Sequence, residues 1–240
     1  MSLPEGFLEL YAGADRQGPG TTSDVVWALN ESGLSGRIKV LDAGCGTGAD
    51  SWTLAQALPE AQIEAVDTAA PFVEAAQARL RAFGPQVTVR EGDMAGAPGP
   101  YDLIWCAGAL YFLGVTEGLR AWREALEPGG WVAFSHPVHL SDSPSAAARA
   151  FWQGEGEIGT VEDLRARVAG AGYALRGERM LVGAPWKAYY DALRAAISEA
   201  RATGRAAALA PAIEGAETEI ARWEAARDET AYALMLVQPE

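Results

Sequence analysis

The chain has 240 residues, 49% of them hydrophobic, with 19 basic and 32 acidic side chains and a formal net charge of −13. That length and apolar fraction belong to a folded chain with a sizeable core, not to a disordered one. The acidic balance argues against nucleic acid as a partner and against anionic membrane surfaces, because phosphate binding needs a basic face.

Arg16-Gln17-Gly18-Pro19-Gly20 is a loop. Thr21 to Asn30 reads as a helix, with Thr22 or Ser23 as its N-cap and Val25, Val26 and Leu29 on one side. Strands and helices then alternate. Ile38 to Leu41 is a short apolar strand running into Asp42-Ala43-Gly44-Cys45-Gly46-Thr47-Gly48, and a helix follows from Asp50 to Leu58. Ile63 to Val66 is a second strand ending at Asp67, and Pro71 opens a helix whose Phe72, Ala76, Leu80 and Phe83 share a face. Gln86 to Arg90 and Tyr101 to Cys106 are the third and fourth strands. Val115, Leu119, Trp122 and Leu126 repeat at helical spacing until Pro128-Gly129-Gly130, and Trp131 to Ser135 is the fifth strand. The last third changes pattern. Thr160 to Asp163 has the form of a capping box, Tyr173 to Val182 reads as a strand, and two Ala-rich helices, Trp186 to Arg205 and Ala212 to Arg227, flank Pro211. Thr230 to Val237 is the final strand.

The alternation predicts an α/β fold: a mostly parallel seven-stranded sheet with helices on both faces, an antiparallel C-terminal edge pair and a helical insertion. Ligands of such sheets sit beyond the carboxyl ends of the strands. Two cysteines, Cys45 and Cys106, are too few for a disulfide scaffold or a four-thiolate metal site, and read as reduced thiols of a cytoplasmic protein. The opening MSLPEGFLELY lacks the basic and apolar regions of a signal peptide, and no apolar run approaches the roughly 20 residues that span a bilayer. Soluble and intracellular is therefore the expectation, with no membrane partner and no metal. Frequent Ala, Gly and Arg suggest a GC-rich bacterial source.

Gly44-x-Gly46-x-Gly48 lies between a strand and a helix, where small residues let a ligand approach the backbone amides and the helix end offers free N–H groups. Asp67, with Thr68 after it, ends the next strand about twenty residues on, the place for a carboxylate that accepts hydrogen bonds from both hydroxyls of a ribose. Gly44-x-Gly46-x-x-Ala49 also fits a relaxed dinucleotide fingerprint, so the loop alone does not separate a nicotinamide cofactor from S-adenosylmethionine. Asp42 beside the loop does bear on it. Next to two phosphates it repels; next to a sulfonium and an ammonium it attracts.

Val40-Leu41-Asp42-Ala43-Gly44-Cys45-Gly46-Thr47-Gly48 resembles motif I of the class I S-adenosylmethionine-dependent methyltransferases. Ala65-Val66-Asp67, Glu91-Gly92-Asp93-Met94, Tyr101 to Cys106 and Leu126 to Trp131 resemble later motifs of that family in the same order, covering about residues 38–135. Arg16 to Gly20, Gly108-Ala109-Leu110-Tyr111, Leu140 to Trp152 and Trp186 to Tyr190 are similar to a bacterial small-molecule group of type 11. The chain departs from that group at Ala107 and His136, where acids are expected. The resemblance implies a Rossmann-like methyltransferase fold. It implies S-adenosylmethionine as cofactor, S-adenosylhomocysteine as product and a small molecule as acceptor. It places Gly44, Cys45, Gly46 and Gly48 at the methionine end, Asp67 on the ribose, and Gly92, Asp93 and Met94 around the adenine. The run Ala107 to Leu113 is expected to bring backbone to the methionine part, with Cys106 touching it there, and Gln17 and Gly18 to act as a lid.

For chemistry, His136 is the candidate general base and His139 an acceptor-side residue, both after the fifth strand. Tyr111, Trp152, Trp186, Tyr189 and Tyr190 are candidates to line the acceptor pocket, where aromatic faces suit a flat or cationic group. Methyl transfer needs a base only when the acceptor must lose a proton. The Ala-rich helices suit either a cap over the acceptor or a homodimer contact. Two rival readings stay open: a non-catalytic protein that binds S-adenosylmethionine or S-adenosylhomocysteine, and a nicotinamide-dependent oxidoreductase. The chain as a whole, 1–240, is expected to be one methyltransferase domain: a lid and helix over 1–36, a cofactor-binding core over 37–140, and a C-terminal part over 141–240 with the insertion at about 185–228.

Overall fold

The computed structural model describes residues 4–153 and 158–240. Two helices, α1 (Phe7–Ala12) and α2 (Thr22–Ser32), precede an alternating series: β1 (Lys39–Ala43), α3 (Ala49–Ala57), β2 (Gln62–Asp67), α4 (Ala70–Leu80), β3 (Val87–Glu91), β4 (Tyr101–Ala107), α5 (Val115–Trp122) and β5 (Leu126–His139). The chain continues through α6 (Ala146–Phe151), α7 (Val161–Gly170), β6 (Tyr173–Leu181), α8 (Ala184–Ala202), α9 (Ala210–Ala226) and β7 (Thr230–Pro239). The seven strands form one sheet in the order β3-β2-β1-β4-β5-β7-β6. The first five are parallel, and β7 inserts antiparallel between β5 and β6.

This order follows from burial. The parallel strands are covered on both faces, so they read as apolar runs without clean alternation. Their side chains still divide by parity between two layers. Leu103 and Trp105 of β4 join one layer with Val40, Leu54, Ile63 and Ala76. Ile104 and Cys106 join the other with Leu41, Leu119, Trp122 and Phe134. After β3 the chain returns to the far side of β1, so the strand order reverses between β1 and β4 and leaves a crevice at their carboxyl ends. The first layer extends over that crevice, because α1, α8 and α9 pack on one another and contribute Leu10, Tyr11, Tyr190, Leu193, Ile213 and Trp223 to it.

Four details differ from the sequence expectations. Helices α1 and α6 were not expected; each has six residues, too few for an apolar period to show. The N-cap of α2 is Thr21, whose backbone N–H donates to Asp24 Oδ2 at 2.8 Å in a capping box. Helix α5 ends at Trp122, and β5 begins at Leu126 and runs through Pro128-Gly129-Gly130. At its other end β5 continues past Ser135 to His139, with His136, Pro137 and His139 opposite Ala233, Tyr232 and Thr230 of β7. The two histidines are thus strand residues. Strand β4 pairs with β5 only as far as Ser135, so Pro137 falls where β5 has a single strand neighbour and a missing N–H is tolerated.

Trp122 closes the second layer: it is fully buried, and its indole N–H donates to the Met94 carbonyl at 3.0 Å. Trp122→Ala is expected to lower the free energy of unfolding by about 3–5 kcal/mol, the cost of a large cavity, as read from urea denaturation.

Candidate active site

The crevice is built from the glycine loop upward. As β1 ends, the Gly44 and Cys45 amides both donate to the Val66 carbonyl, at 2.8 and 3.0 Å, which ties the loop to β2. Asp67, at the end of β2, receives the Gly46 amide on Oδ2 and the Ala69 amide on Oδ1, each at 2.9 Å. Its carboxylate is therefore held in one orientation while each oxygen keeps lone-pair capacity for a further donor. Gly44 has φ 76° and Gly46 φ 52°, both in the left-handed region. A Cβ on Gly44 would lie 2.5 Å from the Ala109 side chain, and one on Gly46 would lie 2.3 Å from Gln17 Oε1. Bare backbone is needed there because the segments after α1 and after β4 close onto the loop.

Gln17 makes the first of those closures. Its Oε1 accepts from the Thr47 amide at 2.9 Å and the Thr47 hydroxyl at 3.2 Å, and its Nε2 donates to the carbonyls of Tyr11 and Ala14. Arg16 pairs with Asp50, whose other oxygen takes the Trp105 indole N–H at 3.0 Å. Residues 11–17 are fastened to the loop and to the first turn of α3.

A cavity of about 590 Å³ opens at this point, in the range of small-molecule sites. Of the residues expected in a site, Gln17, Gly18, Asp42, Gly44, Cys45, Gly46, Asp67, Thr68, Ala107, Tyr111, Trp186, Tyr189 and Tyr190 line it. Gly48, Gly92, Asp93, Met94, Cys106, His136 and His139 do not. Gly48 lies where α3 packs against Ala76 and Leu80 of α4. The Gly92 amide donates to the Asp67 carbonyl, and Asp93 caps a short turn by accepting the Ala95 amide at 2.8 Å. Met94 packs beneath Gly44, and Cys106 is fully buried in the second layer.

The expectation for His136 as a base is corrected by strand parity. His136 shares the face of Phe134 and Val138, both in the second layer, and does not line the cavity; its ring stands edge-on behind that of Tyr111, a lining residue, at 6.4 Å. Burial pulls the imidazole down to about pKa 4, and its Nδ1 lies 2.7 Å from the Pro137 carbonyl. It is neutral and weakly basic. His139 is half-buried beyond it, also lowered by burial, and hydrogen-bonds through its backbone to Gly159.

Several lining residues were not singled out from sequence: Tyr11, Arg16, Asp50, Glu219 and Tyr232. Glu219 left a trace. It stands among Ala216, Ile220 and Trp223, the buried face of α9, where an acid is out of place. Its carboxylate accepts from Tyr11 at 2.8 Å, Tyr190 at 3.1 Å and Tyr189 at 3.5 Å. Burial first, and then the Glu219 charge, raise all three phenols, so they stay protonated. Both thiols are raised as well, Cys45 by burial and the charges of Asp42 and Asp67, Cys106 by burial and Asp42. Neither is a nucleophile.

Asp42 is strongly perturbed. It is buried, accepts the Ser51 hydroxyl at 2.5 Å, and lies near Asp50, Asp67 and Arg16. Burial and the Asp50 charge push its carboxyl up to about 7, against the Ser51 hydrogen bond and Arg16. A cation delivered beside it would offset the Asp50 charge and favour the ionised form. A smaller hollow of about 280 Å³, lined by Val26, Leu29, Leu58 and Pro59 among others, gathers no cluster of titratable groups. Among the described residues no helix is long and apolar enough to cross a membrane.

Known proteins resemble this chain in sequence and in fold. Residues 40–130 match the methyltransferase domain family. A trans-aconitate 2-methyltransferase from Paracidovorax citrulli is 33% identical over 149 residues, covering 57% of this chain and 54% of that protein. The chain spans about half the length of that curated relative, and 24% and 38% of two others. Two crystal structures of S-adenosylmethionine-dependent methyltransferases, both in complex with S-adenosylhomocysteine, share the whole fold. The one from Geobacter sulfurreducens has a TM-score of 0.86 at 19% identity and covers 100% of this chain and 99% of its own. The one from Thiobacillus denitrificans has 0.86 at 20%, covering 100% of both.

The Asp42 environment sets a pH dependence. Its folded carboxyl lies above the ordinary 3.8, near 7, so the folded state holds the proton more tightly than the unfolded state. Its contribution to stability is whole below the unfolded value and is lost as pH rises toward about 7, in total on the order of 3–5 kcal/mol. Asp42→Asn cannot ionise, so its unfolding free energy in urea should fall less steeply than wild type's over that window and exceed it above neutral pH. Superimposable profiles would remove the argument.

Proposed function

We propose that this class I S-adenosylmethionine-dependent methyltransferase moves the methyl group of S-adenosylmethionine to a small-molecule acceptor in the cytoplasm. One observation carries the reading: Asp67 and Asp42 flank a glycine loop whose backbone is bare, and the cation on the cavity wall, Arg16, is already bonded to Asp50. Such a donor set fits a ligand with two hydroxyls and a positive charge. It does not fit a pyrophosphate, which needs free donors and repels Asp42. The nicotinamide reading therefore has no support in the walls.

On this reading Asp67 accepts the ribose hydroxyls, with its orientation fixed beforehand by the Gly46 and Ala69 amides. The Gly44 to Gly46 backbone admits the methionine end, and Asp42 supplies negative potential beneath it. Gln17 and Gly18 cover the cofactor from above. Gly92, Asp93 and Met94 remain assigned to the adenine, on the resemblance of Glu91-Gly92-Asp93-Met94 to the family motif. When bound, S-adenosylmethionine supplies an electrophilic methyl carbon on a sulfonium. The protein's part is to hold an acceptor in line with that carbon and to keep water out, which the buried aromatic wall does. Neither the histidines nor the phenols serve as base. His136 lies behind Tyr111 and outside the cavity lining, and the phenols are held protonated.

The curated relatives named trans-aconitate 2-methyltransferase support a small-molecule acceptor. The matched share of those proteins is too small to bring trans-aconitate itself across, and a tricarboxylate would face Asp42, Asp50, Asp67 and Glu219 in this cavity. The net charge of −13 supports leaving nucleic acid and anionic membranes out of the reading. Two free, buried thiols support the cytoplasm.

Asp67→Ala is expected to weaken S-adenosylhomocysteine binding by about a hundredfold in calorimetry, since it removes the charged partner of two hydroxyls. Unchanged affinity would refute the cofactor assignment. Release of S-adenosylhomocysteine across a metabolite panel distinguishes an enzyme from a protein that only binds.

A further inference from the structure

The cofactor reading leaves one part of the cavity wall unused, and that part is a box of rings around a carboxylate. Tyr11 of α1, Trp152 just after α6, Trp186, Tyr189 and Tyr190 of α8, and Tyr232 of β7 line it, and none is more than 7% exposed. The rings brace one another: Trp152 stacks on Tyr232 at 6.0 Å, Trp186 meets Tyr232 edge-on at 5.1 Å, and Trp186 stacks on Tyr190 at 6.3 Å. Glu219 enters from α9 and is held by three tyrosine hydroxyls. Those hydroxyls orient the carboxylate without neutralising it.

The chemistry of this box has a sign. Ring faces attract cations, tryptophan and tyrosine most strongly, and a carboxylate behind them adds to the attraction. Among the described lining residues there are four carboxylates, Asp42, Asp50, Asp67 and Glu219, against one guanidinium, Arg16, which Asp50 engages. A carboxylate or phosphate brought to this wall meets like charge and no free donor cation.

We propose that the box is the acceptor subsite and that it takes a compact amine, cationic in solution, held by the six rings and by Glu219. The proposal rests on the methyl-transfer reading and narrows its acceptor to one class. The ammonium first loses its proton, through the Glu219 carboxylate, to solvent. The nitrogen lone pair then bonds to the methyl carbon while the carbon–sulfur bond breaks and its electron pair stays on sulfur. A neutral thioether is left, and the positive charge has moved from sulfur to nitrogen. The rings and Glu219 lie where that charge arrives, so the same wall that collects the amine stabilises the product as it forms.

The test is a binding measurement on the full chain saturated with S-adenosylhomocysteine, using three probes of one shape: choline, its neutral isostere 3,3-dimethylbutanol, and the anion 3,3-dimethylbutyrate. Calorimetry should show choline binding about tenfold or more tightly than the alcohol, and the anion not binding. Glu219→Gln should bring choline to within about threefold of the alcohol while S-adenosylhomocysteine affinity stays at the wild-type value. That constancy also shows that the variant is folded. Should Glu219→Gln fail to fold, Trp186→Leu, which removes one ring of the box, must bring choline to within about threefold of the alcohol while S-adenosylhomocysteine affinity stays at the wild-type value. Equal binding of choline and the alcohol, a preference for the anion, or binding of none of the three, with S-adenosylhomocysteine still bound, overturns the amine subsite and leaves the methyl-transfer reading standing. Failure of S-adenosylhomocysteine to bind overturns both.

Discussion

The hydrogen bond from the Gly46 amide to Asp67, and the matching one from the Thr47 amide to Gln17, hold the glycine loop from two sides. A loop of this kind has no side chains of its own with which to fix its shape, and glycine gives it more freedom to lose than any other residue. Its order has to come from outside. Asp67 supplies it from the sheet and Gln17 from the N-terminal segment. The same two groups then face the cavity. The fold thus uses one set of contacts to set the backbone and to present a carboxylate to a ligand.

Charge is the second constraint. Three acids, Asp42, Asp50 and Asp67, converge at the carboxyl ends of β1 and β2 and the start of α3, and a single guanidinium is fastened to one of them. Burial first, and then the neighbouring Asp50 charge, raise the Asp42 carboxyl. A protein that keeps such an arrangement has placed its active site at a cost in stability, as functional sites commonly do. Glu219 repeats the theme on the other wall, where it accepts hydrogen bonds from three phenols.

The sheet was legible because it is local in origin. Each parallel strand is a short apolar run between turn residues, and each helix of ten or more residues carries its period in a few consecutive turns. The six-residue helices α1 and α6 escaped because so short a span holds no period. The extension of β5 past Ser135 escaped for a different reason. Nothing in His136-Pro137-Val138-His139 reads as strand; β7, nearly a hundred residues later, makes it one. That extension decides which way His136 points, and a loop reading had left the imidazole free to face the ligand.

By itself the sequence determined the order of the elements, the glycine loop, and the acids at Asp42 and Asp67, because backbone conformation and short-range pattern depend on neighbouring residues. The tertiary structure alone decided the ring-lined wall around Glu219. Tyr11 and Glu219 stand 208 positions apart yet share a hydrogen bond, and Arg16 reaches Asp50 across 34. Contacts between residues so distant leave no spacing in a linear chain. They exist only when packing of the apolar faces of α1, α8 and α9 over the crevice brings their few polar groups to one point.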